Sequence, residues 1–376
     1  MHVQSFKFDS ALSEAFLAFR EELYRAESIC PAAQRSVTMA TFAPDFGFHQ
    51  QQGNDHRNFI AWSNGRVVGH LTASTSPDRR DRDGAPVGAI GHLECIDDPL
   101  VSERLLDAAR RWFRDERGIT RIWGPLNFDI WHGYRIMTSG FGEAPFLGEP
   151  RNKPYYPSMF ERAGFSVRHE WCSIEIAGRD DLEALATRSE YRYRQALSSG
   201  YRFRPIDAEC VDERRRLYDL EMASFRGLLG YVPLSFSDFE AQFSAYARLI
   251  SLRYFFLAVD PRGNPAGFSV AYPDRNDGVR LPWKEHGLVA WLRRVRPRQR
   301  GPERAVLYMI GVVPAESTTG RGLGRAIFYF TIRKLLDGGY NRILAALITN
   351  EGVGQAFFGD RMQRNRRTYA LYQMNI

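Results

Sequence analysis

Cysteine is scarce. The chain has 376 residues and four cysteines, Cys30, Cys95, Cys172 and Cys210. None forms a C-x-x-C pair and no histidine cluster lies near them, which argues against a zinc site and against a disulfide framework. Free, mostly buried thiols in a reducing compartment are expected instead. Long apolar runs are also missing. No stretch approaches the ~18 uncharged residues that a membrane span needs. The segment Met1 to Asp9 lacks the basic-then-apolar pattern of a secretory signal. The expected compartment is the cytoplasm, with no membrane partner. Low-complexity tracts are absent, and a chain that is 44% hydrophobic and 25% charged is composed as a globular protein.

Acidic residues are outnumbered. The formal net charge is +7, and most of the basic residues are arginine, which suits bidentate contacts with phosphate or carboxylate. The densest cluster is Arg293-Arg294-Val295-Arg296-Pro297-Arg298-Gln299-Arg300. It could face nucleic acid, an acidic carrier protein or a cofactor phosphate, or form a solvated loop.

The chain contains two halves that read alike. In the first, Asn58 to Trp62 and Val67 to Ala73 flank an Asn64-Gly65 turn, a hairpin signature. In the second, Tyr254 to Val259 and Pro265 to Ala271 flank Asp260 to Asn264. Each hairpin is followed by a strand, a helix and a strand. These are Ala89 to Ile96, Ser102 to Arg117 and Thr120 to Trp123, then Ala305 to Val313, Gly322 to Leu336 and Arg342 to Ile348. The first helix carries Leu105, Leu106, Ala109, Trp112 and Phe113 at helical spacing. Asn127 and Asn350 follow their respective strands. A duplicated unit explains this order. The expected domains are 1–180 and 181–376, joined by a charged connector over 180–194 crossed by few contacts.

The segment richest in chemistry is Leu307 to Pro314 followed by Gly320-Arg321-Gly322-Leu323-Gly324-Arg325. An apolar strand runs into a glycine-rich turn that opens a helix. Glycines let backbone approach a phosphate, the first N–H groups of the helix point outward, and its dipole favours negative charge. No Lys-Ser/Thr pair follows the glycines and the dinucleotide spacing is absent, which excludes a P-loop and a Rossmann fingerprint.

On these residues the chain resembles the GNAT superfamily of acyl-CoA-dependent N-acyltransferases. Val312-Val313-Pro314 matches the strand end and Thr319 to Gly324 the loop, with Thr319 where Gln or Arg is usual. Gly124 to Phe128, Gly140-Phe141-Gly142, Asn152 to Tyr156 and Phe160 to Phe165 resemble a two-domain subgroup. The resemblance implies an α/β (α+β) fold of two tandem GNAT-like domains, each a mixed, mostly antiparallel sheet flanked by helices. It implies acetyl-CoA or another acyl-CoA as donor. The donor would be held by Ile310, Val312, Val313, Thr319, Gly320, Arg321, Gly322, Leu323, Gly324, Arg325, Asn350 and Phe357, beside a strand that splays from its neighbour. In the first half, Asp97 and Asp98 stand where the pyrophosphate would lie, so that half is expected to lack a donor site.

Phe357 occupies the place of the family's acidic tyrosine, which leaves Tyr369 and Tyr372 as candidate acids, or as strand aromatics. Candidate bases are Glu221, on a helix over 214–225, Asp274 and Asp277; an amine needs only a carboxylate or a water chain to pass on its proton. His132 is a further candidate, or a structural histidine. Trp123, Asn127, Asp129, Trp131, Tyr134 and Arg135 form an aromatic-polar run suited to an acceptor pocket or to the seam between halves. The expected reaction moves an acyl group to the amine of a small molecule. The alternatives are a phosphopantetheinyl carrier protein as donor, aminoacyl transfer from tRNA, and acyl-CoA binding without catalysis. Nucleic acid is the disfavoured partner, because the glycine cradle suits CoA.

Overall fold

The computed structural model describes residues 1–25, 35, 38–274, 303–317, 322–349, 353–363 and 366–376. In chain order the main elements are β1 (His2–Phe6), α1 (Ser10–Leu23), β2 (Asp55–Ser63), β3 (Arg66–Thr75), β4 (Gly88–Cys95), α2 (Pro99–Arg111), β5 (Arg121–Gly124), β6 (Ile136–Ser139), α3 (Tyr156–Arg162) and β7 (Ser166–Ala177). Then follow α4 (Arg179–Ser198), β8 (Arg202–Pro205), α5 (Val211–Phe225), α6 (Phe236–Ala247), β9 (Tyr254–Val259), β10 (Pro265–Pro273), β11 (Arg304–Val312), α7 (Leu323–Asp337), β12 (Arg342–Thr349), α8 (Val353–Phe358) and β13 (Arg366–Asn375). Among the described residues no helix is long and apolar enough to cross a membrane.

Both hairpins form where their turns placed them, as β2–β3 and β9–β10. Asn64 and Gly65 both take positive φ, the backbone that a tight hairpin turn demands. The α7 helix buries Ala326, Ile327, Thr331, Ile332, Leu335 and Leu336 along one stripe and turns its other side outward.

The two sheets join into one. The strand order is β1-β2-β3-β4-β5-β13-β7-β12-β11-β10-β9-β8, with β6 attached to β13. Ladders are antiparallel except β4–β5 and β11–β12. The centre of the order holds an exchange. β7, the last strand of the first half, pairs with β12 of the second. β13, the last strand of the second half, pairs with β5 of the first. The cores follow the strands. Ala370 and Tyr372 of β13 pack with Leu71, Ile90, Leu105 and Phe113. Cys172, Ile174 and Ile176 of β7 pack with Phe328, Ile332 and Leu335. Each buried apolar side chain of that size is worth roughly 1.5–3 kcal/mol, so each half is stabilised by a strand the other supplies.

The expected low-contact connector over 180–194 is instead part of α4. Leu182, Leu185 and Ala186 are buried in the second-half core beside α7 residues. Small and apolar residues at helical spacing supply an inward stripe, while the charges stay on the outer face.

Candidate functional site

The two halves treat the gap between their parallel strands differently. In the second half, β11 and β12 pair from Arg304↔Arg342 to Leu307↔Ala345, and there the ladder ends. Both strands continue, to Val312 and Thr349. On its other side β11 stays paired with β10 as far as Val312. A bulge marks the parting point. Val270 faces Met309 and Ala271 faces Leu307, so Tyr308 is an extra residue on β11. Bulges bend and twist a strand, and this one turns β11 from β12. Tyr308, Met309, Ile310 and Val312 are half-buried, whereas Arg304 to Leu307 are buried.

Past this slot lies the start of α7. Gly322 precedes it with φ 72°, and among the described residues no side chain caps the helix. A Cβ at Gly322 would stand 2.9 Å from Arg192 Cδ, whereas one at Gly324 would meet Phe357 and Val312 at an ordinary 3.7 Å. Arg325 donates to the Ala356 carbonyl at 2.8 Å and its guanidinium lies 5.8 Å from the Phe357 ring centre. Arg192 and Arg325 thus bring two positive charges to a helix start that already favours anions. Of the residues expected to hold the donor, Ile310, Val312, Val313, Gly322, Leu323, Gly324, Arg325 and Phe357 meet around this slot and helix start. Leu323 turns inward, buried with Ala326 and Ile327. Thr319, Gly320, Arg321 and Asn350 lie outside the described residues, as do Asp277 and the 293–300 cluster.

The first half is sealed at the corresponding place. After Ala89↔Trp123, Leu126 N donates to the Ile90 carbonyl at 2.8 Å and His92 N donates to Asn127 Oδ1 at 2.7 Å. A Cβ on Gly91 would fall 2.4 Å from the Leu126 oxygen. The head of α2 is closed by its own carboxylate, Asp98, which accepts from Leu100 N at 2.9 Å. An N-cap of this kind fills the place an anion would take.

Glu221 sits on α5, half-buried, with no hydrogen bond or ion pair among the described residues. Burial alone pushes its carboxyl up to about 8. Burial likewise holds the Tyr308 phenol above its usual range, and Tyr308 feels Tyr246, Arg135, Tyr134 and Glu221. These groups therefore lie near Tyr308, where β11 parts from β12. One turn on from Glu221, Ser224 Oγ is buried without a partner among the described residues. Arg135 stacks 4.0 Å over Tyr134 and 4.6 Å over Trp171, and its Nε and Nη1 are enclosed without a partner among the described residues. A carboxyl with a raised pKa and no partner among the described residues is a candidate functional group.

Several expected site residues serve the architecture. Trp123 is fully buried among Val87, Ala89, Met137, Trp171 and Leu371. Asn127 seals the first-half strands, as above, and donates to the His132 carbonyl. Asp129 accepts from the backbone N–H groups of Trp131 and His132 and from His132 Nδ1. His132 has Gln242 on its other nitrogen at 2.9 Å. Burial opposes its charge, yet the Asp129 carboxylate holds its pKa above the usual value. It is a structural histidine, not a base. Trp131 donates to the Val232 carbonyl and packs on Phe225 and Tyr231, so it belongs to the seam. Asp274 is no base, because its buried Oδ2 takes two bonds from Arg304, at 3.0 and 2.7 Å. Tyr369 is fully buried with its hydroxyl on Glu149, and Tyr372 stacks on Phe160 in the first-half core. Neither faces the slot as an acid.

Arg192 was not found by sequence reasoning, because it lay in the stretch taken for a connector. Its only signal was a place on a charged helix. Tyr308 carried none beyond its strand.

No protein-family model matches the chain. It is 24% identical over 280 residues to Protein YghO of Escherichia coli (strain K12), covering 71% of this chain and 67% of that one. A solved tandem GNAT protein from the clavulanic acid biosynthesis pathway, without acetyl-CoA, aligns over 100% of this chain and 98% of its own with TM-score 0.50 and 13% identity. A GCN5-related N-acetyltransferase from Anabaena variabilis aligns over 99% and 72% with TM-score 0.52 and 8% identity. One from Kribbella flavida aligns over 100% and 71% with TM-score 0.50 and 10% identity.

Proposed function

We propose that this chain, which has the fold of the GNAT N-acetyltransferases in its tandem form, is an N-acyltransferase that moves an acetyl or other acyl group from acyl-CoA to the amine of a small molecule. One observation carries the reading. The second half opens a slot beside an uncapped, glycine-led helix, and the first half closes the same place with Asn127 and Asp98. The donor site is therefore assigned to the second half alone.

The residues present fit such a donor. Gly322 and Gly324 bring no side chain of their own to the helix start, which leaves room for Arg192 against Gly322, and Arg192 and Arg325 supply charge for phosphates. The unpaired edge of β11 from Tyr308 to Val312 can bond an extended arm, as a strand edge does. When bound, the thioester supplies an activated acyl carbon and a thiolate leaving group. Glu221 takes one proton from the acceptor's ammonium and so frees the amine to attack, and its pKa of about 8 lies close to the working range of a general base. The N–C bond forms as the C–S bond breaks; the first proton passes through Glu221 to solvent, and the second, lost from nitrogen as the amide forms, passes through solvent to the departing thiolate. Arg135 and Tyr134 border the side from which the acceptor enters. Phe357 donates no proton. A thiolate leaves well enough that transfer rests on positioning and on Glu221.

The carrier-protein and tRNA alternatives drew on the 293–300 cluster, which lies outside the described residues, and they stand behind free acyl-CoA. The cytoplasm is the proposed compartment, in keeping with free thiols at Cys95, Cys172 and Cys210.

The test is release of free thiol from acetyl-, medium- and long-chain acyl-CoA across a panel of amines, with Glu221→Gln as control. Amine-dependent release that drops at least ~10²-fold in the variant, the usual share of a general base, supports the reading. Release equal in both proteins, or seen only with a phosphopantetheinylated carrier, contradicts it.

A further inference from the structure

The far wall of the slot carries its own irregularity. Leu347, on β12, has φ 54°, a left-handed backbone that few side chains other than Gly, Asn or Asp adopt. It lies in a bulge. Ala345 pairs with Ile174 and Ile348 with Cys172, so three steps along β12 match two along β7. The bulge begins where the ladder with β11 has just ended, at Leu307↔Ala345. Both walls of the slot therefore slip register at the parting point, β11 at Tyr308 and β12 at Leu347. Such strain persists only when the surroundings hold it, and it collects at functional sites.

One side chain holds this bend. The Leu347 N–H donates to Ser173 Oγ at 3.0 Å. Ser173 belongs to β7, the strand that the first half lends to the second, and it is fully buried. Its hydroxyl also interacts with the Tyr369 phenol. Tyr369 donates to Glu149, and Arg367 Nη1 bonds both Glu149 oxygens, at 3.0 and 2.8 Å. Glu149 accepts from Phe146 N as well. Ser173, Tyr369, Glu149 and Arg367 are all buried, so Ser173 has little freedom to turn away. Leu347 in turn packs against two clusters, that of Val306 and Val270 and that of Trp123 and Trp171.

We propose that Ser173 is a positioning residue for the slot: its hydroxyl ties down the Leu347 amide and so fixes the left-handed bend by which β12 leaves β11. This rests on the reading that the slot takes the thioester arm. It assigns a task to the exchanged strand, since a second-half site is shaped by a first-half side chain. It also places the expected acid Tyr369 as a support behind Ser173.

The experiment uses the full-length protein and calorimetry with CoA and acetyl-CoA. The variants are Ser173→Ala, Ser173→Thr, and Ser173→Ala combined with Leu347→Gly. Exchange of the Leu347 amide with deuterium is followed in each. The expected result is about tenfold weaker CoA binding in Ser173→Ala, with faster exchange at Leu347 and an acceptor KM unchanged when turnover is measured. Ser173→Thr keeps the hydroxyl and restores binding. Leu347→Gly restores most of the loss, because glycine takes the bend without a tether. Wild-type protein that ignores CoA overturns the transferase reading itself. Wild-type binding matched by Ser173→Ala, or a threonine variant as weak as the alanine, overturns the role of Ser173 alone.

Discussion

Asp98 and Gly322 stand at the heads of corresponding helices in the two halves and do opposite things there. The Asp98 carboxylate accepts the Leu100 N–H and closes its helix, while Gly322 turns left-handed and leaves its helix without a side-chain cap. Removing the first cap should therefore cost stability and nothing else. Asp98→Ala is expected to lose about 1 kcal/mol, read as a lower urea midpoint, with CoA affinity unchanged. A gain or loss of CoA binding in this variant would contradict the assignment of the donor to the second half.

The Glu221 carboxyl, pushed up to about 8 by burial, makes activity depend on pH in a stated direction. The base form is needed, so the rate of acyl transfer rises with pH through about 8. Stability moves the other way. The folded chain holds this proton to a higher pH than the unfolded chain does, so stability declines as pH rises from the ordinary carboxylate range to about 8. Glu221→Gln should remove the alkaline rise in rate and, at pH 9, raise the melting temperature by about 2–4 °C. A variant that is both inactive and less stable at pH 9 would point to a structural carboxylate.

Much of this arrangement could be read from the residues. Asn64-Gly65 and Gly263 announce hairpins by local turn chemistry, and the run from Leu307 to Arg325 announces a strand, a bare turn and a helix. Glu221 was visible as an acid on a helix. What escaped depends on contacts between distant residues. Trp123 and Trp131 have the same composition signal, yet one is core and the other seam, because burial is decided by which strand lies alongside. Tyr308 and Leu347 carry no sequence mark of their bulges, since register is set by the partner strand. Arg192 falls in the stretch whose charges suggest a connector, and Ser173 carries no mark of its own, for the same reason.

The exchange of β7 and β13 makes the halves depend on each other. Deleting 366–376 removes a strand from between β5 and β7, not from an edge. The truncated chain should lose cooperative unfolding in both halves, and residues 1–180 or 181–376 expressed separately should fail to give a folded, monomeric product. Two independently folded fragments with the native spectrum would contradict the exchanged arrangement.

Four histidines, His56 and His70 buried and His49 and His92 half-buried, predict sensitivity to acid. Burial lowers His49 to about 4 and His56 and His92 to about 3, and holds His70 well below its ordinary value. In the unfolded chain each would take a proton near the usual ~6.5. Stability is therefore full above that value and is lost as pH falls from it toward about 4, by up to about 1.4 kcal/mol per pH unit for each histidine. Urea midpoints at pH 7 and pH 5 test this, with a marked drop at pH 5 expected. Equal midpoints would mean that these rings gain no protons on unfolding.

Calorimetry with CoA on the wild type and on Gly324→Glu and Gly324→Ala tests the central assignment most directly. A Cβ at position 324 meets only ordinary contacts, 3.7 Å from Phe357 and Val312, so alanine should fold and bind near the wild-type level. Glutamate sets a carboxylate beside the proposed phosphate position. Micromolar binding in the wild type and alanine variant, weakened at least tenfold by glutamate, is the predicted result. Wild-type protein that does not bind CoA, or a glutamate variant that binds it as tightly, would contradict the account.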